Sequence, residues 1–195
     1  MSGMAPPPPP IRLAISAGLL GAVLLARGRA AGMALMEPTG EGARRSFAAA
    51  AICLPAFLVL RLWSNLPEEL SDRALVAELV GYVLGWVVFA LASLPLVQGW
   101  GKGGLWPRFL AAWNWTSVVQ YAVQLVVMLP GALGLISGGM AQGLTLAAMG
   151  YLVWLEWFVA RTALGVSGAR AAGLVAMDLT IGIFIASLVQ RAGSG

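Results

Sequence analysis

Apolar positions along this chain gather into long runs bounded by charge, proline or glycine. Five runs approach the ~20 residues that a helix needs to cross a bilayer. They cover Ser46 to Trp63, Ala74 to Gln98, Phe109 to Pro130, Met140 to Ala160 and Ala171 to Gln190. None alternates with the period of two that a membrane barrel strand requires, so the pattern predicts an all-α, polytopic transmembrane helical bundle of about five spans. Residues 46–191 form this transmembrane domain, preceded by a proline-rich tail at 1–10 and an apolar segment with a basic linker at 11–45.

The first apolar segment, Ile11 to Ala26, is shorter. Sixteen residues reach ~24 Å as a helix, less than the ~30 Å hydrocarbon layer. An interfacial or partly inserted helix is the reading it favours, with an additional span and a signal peptide as alternatives. Against the signal peptide, Arg27 and Arg29 follow the run directly, where small residues are preferred. Ahead of it, five consecutive prolines predict an extended, water-exposed tail.

Hydrophobic residues make up 59% of the 195 positions and charged residues only 10%, which excludes a single soluble core and a disordered chain. Arginine outnumbers lysine, with Lys102 the one lysine, and Ala and Gly abound, a composition typical of GC-rich bacteria. The net charge of +4 sets topology rather than nucleic-acid binding. With the amino terminus in the cytoplasm and the first segment not crossing, nine cationic residues fall on the cytoplasmic side and only Arg61, Arg73 and Arg191 on the other. That bias predicts an inner-membrane protein with a cytoplasmic amino terminus and a periplasmic carboxy terminus. Trp100 and Trp106 then mark the cytoplasmic interface and Trp63 the opposite one.

Whole classes of chemistry are missing. The chain has no histidine, and its one cysteine, Cys53, sits within an apolar run as a structural thiol. No Walker loop, dinucleotide fingerprint, HExxH or GxSxG occurs. The sequence therefore calls for no catalytic residue, metal or cofactor.

Charges and polar groups inside the spans need a reason, because they are costly in lipid. Glu156 lies five residues before Arg161, and Asp178 eight residues after Arg170. At ~1.5 Å per residue both carboxylates fall in the cytoplasmic half of the membrane, and pairing of either with Arg161 or Arg170 is expected. Glu78 sits one turn inside its span, near enough to the interface to need no partner. Asn114, Ser117, Tyr121 and Gln124 follow a three, four, three spacing that places them on one helical face, with Gln120 beside them. Such a stripe turns inward, as glue between helices or as the lining of a polar cavity that meets the carboxylates. The small-residue pairs Gly81/Gly85, Gly139/Gly143 and Ala169/Gly173 allow close helix approach, and Pro55, Pro95 and Pro130 should kink or end their helices.

The SFAAAAICLPAFLVL stretch opening the core, and the WNWTSVVQY and YLVWLEWFVAR segments, resemble those of five-span alphaproteobacterial membrane proteins related to the Yip family. The resemblance covers most of residues 44 to 191 and implies a cytoplasmic amino-terminal region followed by five closely spaced spans. The acidic-aromatic motif of eukaryotic Yip relatives is absent, so a small-GTPase trafficking role is not carried over and no functional residue is transferred.

Two function classes follow. The favoured one is a non-enzymatic scaffold, assembly factor or accessory subunit of a membrane complex, with lipid and other membrane proteins as partners and no nucleic acid. The alternative is a small transporter or channel, proton-coupled through Glu156 or Asp178. A water-accessible cavity joining those carboxylates to Asn114, Gln120 and Gln124 favours transport, and dry packing favours the scaffold. An intramembrane enzyme ranks third, because no paired carboxylate geometry is visible.

Overall fold

The computed structural model describes residues 11–64 and 71–193. The proline tail, the acidic Glu68 and Glu69, the carboxy-terminal Ser194 and the side chain of Trp63 lie outside the described residues. The described chain is helical, in the order α1 (Ile11–Ala26), a 3-10 turn (Ala30–Leu35), α2 (Gly40–Ser46), α3 (Ala48–Ser64) and α4 (Asp72–Gly99). A second 3-10 turn (Gly103–Leu105) precedes α5 (Trp106–Ala132), α6 (Gly138–Leu164) and α7 (Gly168–Gly193). Among the described residues, four helical stretches are long and apolar enough to cross a membrane: Gly40–Arg61, Asp72–Gly99, Gly138–Leu164 and Gly168–Gly193.

Local chemistry sets the helix ends. The Ser71 hydroxyl accepts the Ala74 N–H at 3.2 Å, and the Ser137 hydroxyl accepts that of Met140 at 3.4 Å, so each caps its helix. Pro107 sits in the first turn of α5, where no backbone donor is needed. At the end of α6, Gly165 takes the left-handed conformation (φ +59°) that closes a helix. Pro55 and Pro95 are carried inside α3 and α4, and α5 ends two residues after Pro130.

The fifth long helix, α5, matches the spans in length but carries the polar stripe, and its place in the fold explains how. Residues Phe109 to Thr116 are all buried, enclosed by α1, α2, α3 and α6. A helix surrounded by other helices needs less apolar surface than one facing lipid. The remaining long helices continue the bundle from α6 to α7 and from α7 to α4. Cys53 is buried beside Phe57 and Tyr82.

The amino-terminal segment is a short helix that turns back. Tyr151, midway along α6, donates its hydroxyl to the Ala26 carbonyl at 2.8 Å, so α1 ends half-way down its neighbour. Gly28 (φ +71°) then reverses the chain, and the 3-10 turn returns along α1. The stretch expected as a linker is thus folded, because its glycines permit backbone contact. A Cβ on Gly32 would lie 2.5 Å from the Gly21 carbonyl oxygen. Of the small-residue pairs, Gly81 packs directly on Val189 of α7, whereas Gly139, Gly143 and Gly173 have nothing within 4 Å of where a Cβ would stand.

Candidate functional site

A polar cleft opens where α4 stands away from α5. Few contacts join these two helices directly, and α3 and α7 flank the gap. The cleft holds about 290 Å³ and brings Asn114, Ser117, Gln120, Tyr121 and Gln124 of α5 together with Asp178 of α7. The three, four, three spacing does place one face of α5 toward a shared space. Asp178 accepts no hydrogen bond from a described residue.

Glu156 sits behind this wall. Gln120 Nε2 donates to Glu156 Oε1 at 3.0 Å, while Glu156 Oε2 is buried without a partner among the described residues. Asp178 is close enough for the two carboxylates to interact electrostatically. Deeper toward the basic end, Asn114 Nδ2 donates to the Ser46 hydroxyl at 2.9 Å, and Ser46 in turn donates to the Ala43 carbonyl at 2.6 Å. This buried chain ties α5 to α2, so Asn114 serves packing as well as lining the cleft. Ser117 donates to its own helix, at the Trp113 carbonyl (3.2 Å).

The expected pairing of Glu156 or Asp178 with Arg161 or Arg170 does not occur. Arg161 lies over the Trp157 ring at 5.1 Å and Arg170 over the Trp100 ring at 5.5 Å. The helix geometry gives the reason. Five residues of α-helix rotate the face by roughly 140°, so Arg161 points away from Glu156 and toward Trp157, one turn back. Both arginines belong to the basic end of the bundle, outside the cleft.

Two other charged groups do line it. Arg61 Nε approaches Glu78 Oε2 at 3.1 Å, bridging α3 and α4 at the far end of the cleft, and the guanidinium also lies 5.6 Å over the Phe57 ring. Tyr82 reinforces the same helix pair by donating to the Ala50 carbonyl at 2.5 Å. Both Arg61 and Glu78 lie near the ends of consecutive spans, which is the one sequence signal that could have paired them. The Glu78 side chain is 16% exposed and that of Arg61 44%. Arg61→Gln should therefore strand a shielded carboxylate and cost about 1 kcal/mol, a figure kept small because Arg61 is half in solvent. Thermal unfolding in detergent should show a drop of roughly 2–4 °C. Arg61→Gln combined with Glu78→Gln should recover most of it, and equal losses in the single and double variants would deny the pair any role.

Aromatic rings complete the walls. Phe89 stacks on Trp113 (4.4 Å between centroids, 17° between planes), and Tyr82 meets Phe57, Trp86 and Tyr121 at 4.5, 6.1 and 6.4 Å. Nothing in the sequence marks these rings, because aromatic residues in an apolar span look like ordinary lipid-facing positions. Among the described residues no group of three or more acidic or cysteine side chains is placed to hold a metal ion. No protein-family model, curated protein or solved structure matches the chain.

Proposed function

We propose that this protein is a small multi-pass transporter of the bacterial inner membrane that moves a polar or charged solute through the α3–α4–α5–α7 cleft. Glu156 and Asp178 carry the coupling proton. One observation carries this reading: the stripe from Asn114 to Gln124 and the Asp178 carboxylate border a shared opening instead of being sealed in dry packing. Polar groups left open within a membrane need water or a solute to satisfy them. The chemistry is non-enzymatic, and orientation follows the arginine bias, with Lys102 and Arg170 cytoplasmic. Kinship with the Yip-like five-span proteins is part of the same proposal.

A scaffold or accessory-subunit role is the companion reading. Gly139 and Gly143 on α6 and Gly173 on α7 leave small-residue surfaces open on the outside of the bundle, where a helix of another membrane protein could approach closely.

Cysteine accessibility separates the two. In a Cys53→Ala background, Ser117→Cys should react with a membrane-impermeant thiol reagent added from the periplasmic side. Ile183→Cys, on a lipid-facing position, should not react, and Gly103→Cys should react only from the cytoplasm. An inert Ser117→Cys would remove the transport reading, and labelling of Gly103→Cys from outside would overturn the orientation.

A further inference from the structure

The two ends of the cleft differ in charge. At one end Arg61 and Glu78 neutralise each other. At the other, no ion pair with Asp178 forms among the described residues, and Arg161 and Arg170, the two arginines expected to pair with it, lie over tryptophan rings elsewhere. The cleft is therefore net negative toward its Asp178 end. Aromatic rings share the lining with that carboxylate, among them Trp86, Phe89 and Trp113. Of the nearby polar side chains, the amide N–H of Asn114 is committed to Ser46 and the hydroxyl of Ser117 to its own helix.

That combination selects among cations. A hard metal ion is usually gathered by several carboxylates, and among the described residues no group of three or more acidic side chains is placed to hold one. Ring faces carry negative quadrupole charge and attract soft cations whose charge is spread over alkyl groups, most strongly when water is excluded. A volume of about 290 Å³ stands at the small end of the range for ligand sites, which suits a monoamine-sized molecule. We propose that the cleft binds a lipophilic organic ammonium ion, its charge against Asp178 and its apolar body against the half-buried Trp86. This assignment rests on the transport reading and names its substrate class. The Asp178 carboxylate is the counter-ion, Trp86 supplies the adaptable wall, and the Arg61–Glu78 pair lines the far end without adding net charge.

Benzyltrimethylammonium is a suitable probe, with neopentylbenzene as a neutral molecule of the same shape. Equilibrium dialysis of the full-length protein in mild detergent should show saturable binding of the cation, near one per chain, and no saturable binding of the neutral isostere. Asp178→Asn should weaken cation binding at least about tenfold, and Trp86→Leu about threefold or more, the loss of one ring face. Leu20→Ala, on the exposed side of α1 and outside the cleft, should leave binding unchanged. Should Asp178→Asn fail to fold, the Trp86→Leu loss and the preference over the isostere decide the matter. Equal binding of cation and isostere, or undiminished binding in Asp178→Asn, would overturn the assignment. If Ser117→Cys remains water-accessible while the ammonium fails to bind, the substrate class is wrong and transport stands; if Ser117→Cys is inert, the transport reading itself has failed.

Discussion

In Glu156→Gln and Asp178→Asn, proton flux into proteoliposomes under an imposed pH gradient should fall at least about 100-fold, the scale on which a positioned proton-transfer group acts. Folding should survive. Gln120 can still donate to the side-chain oxygen that replaces Glu156 Oε1, so the α5–α6 link is kept. What disappears is a buried carboxylate whose second oxygen has no partner, beside a second carboxylate at Asp178. Removing such a charge from a low-dielectric interior relieves desolvation and repulsion, so the melting temperature should hold or rise. The charged groups that face Glu156 are limited to Asp178 among the described residues, because Arg161 is held over Trp157. A trapped pH-sensitive dye, with potassium and valinomycin clamping the voltage, reports the flux, and unfolding in detergent reports stability. A structural role predicts the opposite pattern: flux absent from the start and stability lower in each variant. Wild-type flux indistinguishable from empty liposomes would therefore end the coupled-transport reading.

Different features of the site were legible to different degrees, for physical reasons. The stripe on α5 is a property of one helix, and helical periodicity alone puts Asn114, Ser117, Tyr121 and Gln124 on one face. The run lengths likewise announce the spans, since a bilayer imposes nearly the same length on each. Pairings between helices depend on rotation and neighbour order, which periodicity does not encode. Arg61 and Glu78 meet because α3 and α4 place them opposite each other, and Arg161 misses Glu156 because five residues is the wrong fraction of a turn. The segment from Arg27 to Arg45 read as a linker since glycine is usually punctuation. Here Gly32 and Gly42 are instead the positions at which the chain packs against Gly21 and Glu37. A glycine needed for close contact and a glycine needed for a turn look the same until the contacting partner is known.

The hairpin of α1 yields the largest expected effect on stability. A Cβ placed on Gly18 would fall within the indole of Trp115, which is itself only 4% exposed and walled in by the α1–α5 contact. Neither side has room: Gly18 sits on a helix whose inner face continues through the buried Ala22 and Leu25, and Trp115 lies in the buried stretch Phe109 to Thr116. Gly18→Leu must therefore lift α1 or expel the indole. Overpacking costs of ~3 kcal/mol follow, equivalent to a fall in melting temperature of roughly 10 °C for a chain of this size. Gly18→Ala should lose less but still measurably. Trp115→Ala should also destabilise, through a cavity instead of a clash, by about 3–5 kcal/mol. Because the two defects have opposite sign in volume, Gly18→Leu with Trp115→Ala should be more stable than the sum of the single losses predicts. Limited trypsin digestion supplies the local readout: cleavage after Arg27 and Arg29 should accelerate in Gly18→Leu, while Leu20→Ala, on the exposed side of α1, should leave the rate unchanged. If Gly18→Leu melts like the wild type and stays protected, α1 is not docked on α5. If it melts early while the volume-compensated pair recovers, the glycine is there to let Trp115 in, and the amino-terminal hairpin is part of the folded bundle.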